Sequence, residues 1–158
     1  RWWVGAFMAC WVIGYGFVQS FAPLLTGQKG TGKKQGKVPT GHAALMWAIY
    51  LAAIPALIAL ALQFDVYSKI AIIVGLLIFG AVFAINSSLH SYLIVSYAKG
   101  DGVSLDVGFY YMANAMGRLI GTLLSGWIFQ MHGLAACLWV SSLFIVLAVL
   151  LSIKLPKV

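Results

Sequence analysis

Charge is scarce in this sequence. Only 8% of its 158 residues are charged and only three are acids, against about 25% charged in an ordinary soluble domain. A water-soluble chain of this length cannot cover its surface with so few charges. In lipid the difficulty disappears, because the outer face must then be apolar.

Cysteine is scarce too. Cys10 and Cys137 both lie inside apolar runs. A disulfide would need helix contact and an oxidising environment, and the spacing matches no metal motif, so both are expected as buried thiols. The acids Asp65, Asp101 and Asp106 all fall at the ends of apolar runs. No carboxylate is therefore available deep in a run to relay protons, and any relay falls to His90 or to residues outside this chain. No nucleophile–base pair, paired acid or metal cluster points to catalysis. The expectation is a protein that is not an enzyme and holds no cofactor or metal. An initiator methionine is also lacking: Arg1, Trp2 and Trp3 lead directly into a hydrophobic run too long for a signal peptide. The sequence reads as a fragment whose beginning is missing.

What the chain has in abundance is hydrophobic residues, at 63%. They gather into five runs, at about 3–25, 42–64, 68–98, 107–131 and 133–155. Each far exceeds strand length, lacks barrel-type alternation and meets the roughly 20 residues a helix needs to cross the hydrocarbon core. The expected fold is an all-α membrane protein of five transmembrane helices, with a kink at Pro55 in the second. Trp2, Trp3, Tyr67 and Trp127 fall near span ends, where amphipathic rings favour the headgroup region. A long basic loop, 26–41 (TGQKGTGKKQGKVPTG), follows the first run, and a shorter polar loop, 99–106, follows the third. Lys29, Lys33, Lys34, Lys37, Lys99, Lys154 and Lys157 fall on one side; Arg1 and Lys69 fall on the other. By the positive-inside rule the long loop and the C-terminus are cytoplasmic. Gly27, Gly32 and Lys33 nearly spell a phosphate-binding loop, but Lys34 stands where Ser or Thr is required, and the flanking elements are membrane spans. The loop is read as solvated and positive, not as an ATP site, and nothing implies nucleic acid.

The fourth run, VGFYYMANAMGRLIGTLLSGWIFQ, carries two rows at four-residue spacing. Ala113, Gly117, Gly121 and Ser125 form a smooth stripe that lets a neighbouring helix approach closely; a sliding interface would use the same stripe. Tyr110, Asn114, Arg118 and Thr122 form a second row. Arg118 falls near the bilayer middle, where a cation costs several kcal/mol and needs a polar partner or cavity. Two readings stand: a structural role, as an ion pair or in hydrogen bonds to carbonyls of an adjacent helix, or a fixed cation that receives an anionic substrate through its planar fork of donors. In the third run Asn86, Ser87, Ser88, His90, Ser91 and Tyr92 interrupt the apolar surface. Asn86 and His90 share a face, either lining a substrate path or holding the bundle together. Tyr15 and Gln19 make a weaker pair of the same kind.

The basic loop after one span and the glycine-spaced span near the end resemble the major facilitator superfamily, with the five spans looking like its helices eight to twelve. The glycine and arginine pattern usual in that loop is degraded here. A closer resemblance comes from WVIGYGFVQSFAP (11–23), INSSLHSYLIVSYA (85–98) and DGVSLDVGFYYMANAMGRLIGTLLSGW (101–127). These stretches look like ArsJ-type permeases, the organoarsenical efflux carriers of bacterial arsenic-resistance operons. The resemblance implies a multi-pass protein of the bacterial plasma membrane. It implies export of arseno-phosphoglycerate by alternating access, a functional link to glyceraldehyde-3-phosphate dehydrogenase, and a need for the missing N-terminal helices. It transfers no residue-level site. The candidate substrate-binding residues, Arg118, Asn114, Tyr110, Asn86 and His90, rest on position and chemistry. The competing readings are transport of another organic anion or drug, and a membrane subunit that only packs against partners.

Overall fold

The structure is a computed structural model that describes residues 2–26, 41–65, 67–97 and 103–153. Its elements are α1 (Trp2–Leu25), α2 (Gly41–Gln63), α3 (Ser68–Tyr97) and α4 (Val103–Ser152). Each is long and apolar enough to cross a membrane. Where no water competes, a backbone can satisfy its polar groups only within itself, and helices do this segment by segment. The first three helices match the expected runs to within a residue. The lysines that set the orientation, Lys69 apart, lie outside the described residues, and the basic loop lies there with them.

The fourth run starts earlier than its hydropathy indicates. The residues from Val103 to Asp106 belong to α4, not to a loop, and Asp106 stands in its first turn, where a carboxylate favours the positive end of the helix dipole. Helical geometry continues for 50 residues, interrupted at Gly133 (φ 78, ψ −174). That conformation is accessible essentially to glycine alone. A straight helix of this length would extend about 75 Å, more than twice the roughly 30 Å hydrocarbon core. The chain instead folds back at Gly133. The Cys137 thiol donates to the Ser125 carbonyl at 3.4 Å, although twelve residues of straight helix would separate them by about 18 Å. α4 is thus two antiparallel arms, 103–132 and 134–152.

The other contacts fix a row of helices. α2 and α3 form an antiparallel pair, with Ile58 against Gly75 toward the end where they connect and Ala44 packed with Leu89 and Leu93 at the far end. α1 lies parallel to α3: the Trp11 indole donates to the Leu76 carbonyl at 2.9 Å, and further along both helices Tyr15 meets Phe83 with ring centroids 5.9 Å apart. α2 also packs against α4, so the order across the row is α1, α3, α2, α4. Ser142, a buried polar side chain on the second arm, donates to the Ala52 carbonyl at 2.8 Å. Pro55 stands inside α2 and has no N–H, so the Leu51 carbonyl loses its helical donor. The serine hydroxyl bonds the next carbonyl along, that of Ala52.

The core is narrow. Ala44, Ala48, Leu51, Ala52, Ile58 and Ala59 are buried on α2, and Ala84, Ile85, Leu89 and Leu93 on α3. Ala44, Ala48 and Ala52 recur every fourth residue, so α2 carries the small-residue seam along which helices approach. α1 presents Val4, Met8, Val12, Ile13 and Phe17 outward. Cys10 is exposed and Cys137 half-buried, and both are free thiols; the expectation of two buried cysteines fails for Cys10, which lines an open pocket between α1 and α3.

Two outcomes follow. In a Cys10→Ser background, Ser125→Cys should form an oxidative cross-link with Cys137, read as a mobility shift; no cross-link would mean a straight α4. A Cβ at Gly80 would lie 2.7 Å from the Trp11 indole nitrogen. Gly80→Val should therefore lower thermal stability in detergent, by about 1–3 kcal/mol. Combining it with Trp11→Ala should recover part of that loss, and strictly additive effects would rule the contact out.

Candidate functional site

Along the first arm of α4, Tyr110, Asn114, Arg118 and Thr122 fall in one row, as their spacing requires. Arg118 stands midway between Val103 and the break at Gly133 and is exposed. In a helix, long side chains lean toward the N-terminus over the preceding turn. Arg118 does so: its Nε donates to the Asn114 Oδ1 at 3.1 Å. The Thr122 hydroxyl turns back to its own helix, donating to the Arg118 carbonyl at 2.8 Å, and the Ser125 hydroxyl does likewise to the Thr122 carbonyl at 3.0 Å. Tyr110 stands one turn before Asn114, half-buried, with its ring edge-on to Tyr111 at 5.4 Å. Among the described residues Arg118 makes no ion pair. Of the described acids, Asp65 accepts from the Ser68 hydroxyl at 2.7 Å at the α2–α3 turn, and Asp106 stands in the first turn of α4, three turns from Arg118.

The row next to it behaves differently from expectation. Gly117, Gly121 and Ser125 face the second arm, but not in tight contact: a Cβ at Gly117 or Gly121 would meet nothing within 4 Å. Between the arms lies a cavity of about 410 Å³, lined by these residues and by Cys137, Ser141 and Phe144. The stripe leaves space instead of closing it. Arg118 is not among the lining residues; it is one position, or about 100°, around the helix from Gly117.

The second polar group is on α3. His90 Nδ1 is 2.9 Å from the Asn86 carbonyl oxygen, so the ring is tied to the preceding turn of its own helix. The Asn86 Oδ1 is buried and has no hydrogen-bond partner among the described residues, a condition that costs about 1–3 kcal/mol in a dry interior. Asn86 and His90 do share a face. They are not brought together with Arg118, because α3 meets α4 only marginally. Tyr15 is likewise not paired with Gln19 in a polar path: its ring stacks on Trp11 at 5.8 Å and packs on Phe83.

The chemistry these residues offer is recognition. Arg118 brings a fixed positive charge whose terminal N–H groups have no partner among the described residues, and Asn114 and Tyr110 add neutral polar groups along the same row. No group of three His, Cys, Asp or Glu gathers among the described residues. Sequence reasoning missed the alanine seam on α2, for which the four-residue spacing of Ala44, Ala48 and Ala52 was the available signal, and it missed Ser142, for which no signal existed. No family model matches this chain, and no curated protein and no solved structure matches it either.

Proposed function

We propose that the chain contributes five membrane spans, with the two arms of α4 counted separately, to a secondary transporter of the major facilitator type, and that its cargo is an organoarsenical anion, arseno-phosphoglycerate, exported by alternating access. The observation that carries the reading is Arg118: a cation halfway along a span, exposed, held by a neutral amide and without a carboxylate partner among the described residues. On insertion scales such a residue costs about 3 kcal/mol at the bilayer centre. A counter-charge supplied by the cargo offsets that cost at the moment of binding. Phosphate- and arsenate-like groups suit a guanidinium because its donors match pairs of oxygens.

In this reading Arg118 holds the anion, Asn114 and Tyr110 orient it, and Asn86 with His90 lines the path on the other side of a cavity completed by helices beyond this chain. Sites of this type lie between two halves of a transporter, in keeping with the separation of the two polar groups. The choice of an organoarsenical over another organic anion rests on the resemblance of residues 11–23, 85–98 and 101–127 to ArsJ-type permeases. The same arginine serves any small anion. A subunit that only packs against partners accounts less well for an arginine exposed on its helix.

The cargo is tested by arsenate resistance in a sensitive bacterium expressing the full-length protein, with and without its partner dehydrogenase. Resistance should require the dehydrogenase and disappear in Arg118→Gln. Verified membrane expression without resistance would remove the arsenical and leave another organic anion. Stability separates transport from packing. Arg118→Leu should melt at or above the wild-type temperature in detergent, because the cost of an unpaired cation within a span is removed and no ion pair is lost. A drop corresponding to about 3 kcal/mol or more would instead reveal a structural ion pair.

A further inference from the structure

A guanidinium has five N–H donors, one on Nε and four on the two terminal nitrogens. An oxyanion docks on it in one of two ways: side-on, across Nε and one terminal nitrogen, or end-on, across both terminal nitrogens. In this structure the choice is already made. The Nε–H is donated to the Asn114 Oδ1 at 3.1 Å, one helical turn back in the direction the arginine side chain leans. Side-on docking would have to break that bond. The end-on edge has no partner among the described residues, and Arg118 is exposed.

We infer that Asn114 is a positioning residue: it occupies the Nε of Arg118 so that the guanidinium meets its ligand, a small phosphate-, arsonate- or carboxylate-type oxyanion, end-on through its two terminal nitrogens. The inference rests on the reading of Arg118 as an anion site and assigns Asn114 a role in it different from direct contact with cargo through its Nδ2–H donors. It also explains why this position holds an amide. Aspartate has nearly the same shape and the same acceptor oxygen, but its charge would neutralise the arginine. A neutral acceptor orients the cation and leaves its charge for the ligand. The next residue in the row, Tyr110, is half-buried one turn further back, on the side toward which the guanidinium is drawn.

The test uses purified full-length protein and 3-phosphoglycerate as the probe, with binding measured by titration calorimetry. Wild type should bind. Asn114→Asp should weaken binding on the order of a hundredfold, because an internal ion pair replaces the free cation; Asn114→Ala should weaken it only about tenfold, the expected scale for losing a hydrogen bond to a charged group. A merely structural amide predicts the opposite order, since aspartate preserves its shape and alanine does not. In an Arg118→Lys background, which has no Nε–H to hold, Asn114→Ala should cost nothing further; a continued loss would mean that Asn114 touches the anion itself and would overturn the inference. So would wild-type affinity in Asn114→Asp, or no binding of the probe by wild type. Binding that follows the expected order in a protein that confers no arsenate resistance would uphold the inference and remove the arsenical cargo. Resistance with an indifferent Asn114→Asp would do the reverse.

Discussion

The structure depends on one constraint: in hydrocarbon, each backbone N–H and C=O must find its partner inside the protein. The helices satisfy it locally, and the exceptions show where tertiary structure is fixed. Trp11, Cys137 and Ser142 each reach across to another helix or arm, and each donates to a main-chain carbonyl, of Leu76, Ser125 and Ala52 respectively. Carbonyls have a second lone pair that helical bonding leaves unused, so a donor placed opposite one gains a bond without disturbing the helix. Ser142 is such a case: it bonds the carbonyl of Ala52, next to the Leu51 carbonyl that Pro55 leaves without a helical N–H. Side-chain donors aimed at backbone acceptors thus join α1 to α3, α2 to α4, and the two arms to each other.

Between those bonds, distance is set by residue size. Gly80 admits the Trp11 ring and Gly75 admits Ile58, because any Cβ there would collide. Ala44, Ala48 and Ala52 do the same work on α2, which packs against both α3 and α4. The glycines of α4 do not. Gly117 and Gly121 have the spacing of a packing stripe and stand beside a cavity. Periodicity identifies which residues share a face; it says nothing about what stands opposite. That is the physical reason the stripe was legible in the sequence and its consequence was not. The helix ends follow a similar division. Hydropathy located α1, α2 and α3 to within a residue, but the start of α4 lies among Ser104 and Asp106, polar residues that a hydropathy average rejects and a helix N-terminus accepts.

The site divides along the same line. Arg118 and Asn114 lie four residues apart on one helix, so their contact follows from local geometry once the helix is known, and the spacing anticipated it. His90 and the carbonyl of Asn86 are the same case. Whether the two groups meet is a tertiary question, and α3 and α4 stand too far apart in the row for sequence spacing to have answered it. Tyr15 shows the opposite error: read by residue type it is a polar group in a membrane span, but its ring belongs to an aromatic column with Trp11, Phe79 and Phe83. An aromatic ring with a hydroxyl has two chemistries, and packing decides between them.

Among the described residues no carboxylate stands beside Arg118, which bears on how a transporter of the proposed kind would work. A permanent counter-ion would lower the cost of holding an arginine in the membrane, but it would also compete with the cargo for the same donors. With a neutral amide at position 114 that competition does not arise, and the attraction for an anion is strongest where water is excluded. The cost then differs between the empty and loaded states. An unpaired guanidinium favours a conformation in which water reaches it, whereas a neutralised one tolerates enclosure. Opening to either side satisfies the empty site and closure satisfies the occupied one, which is the bias an alternating-access cycle requires of its binding residue. In this account the same charge that recognises the cargo also disfavours closing without it, and the amide at Asn114 is what keeps both effects available.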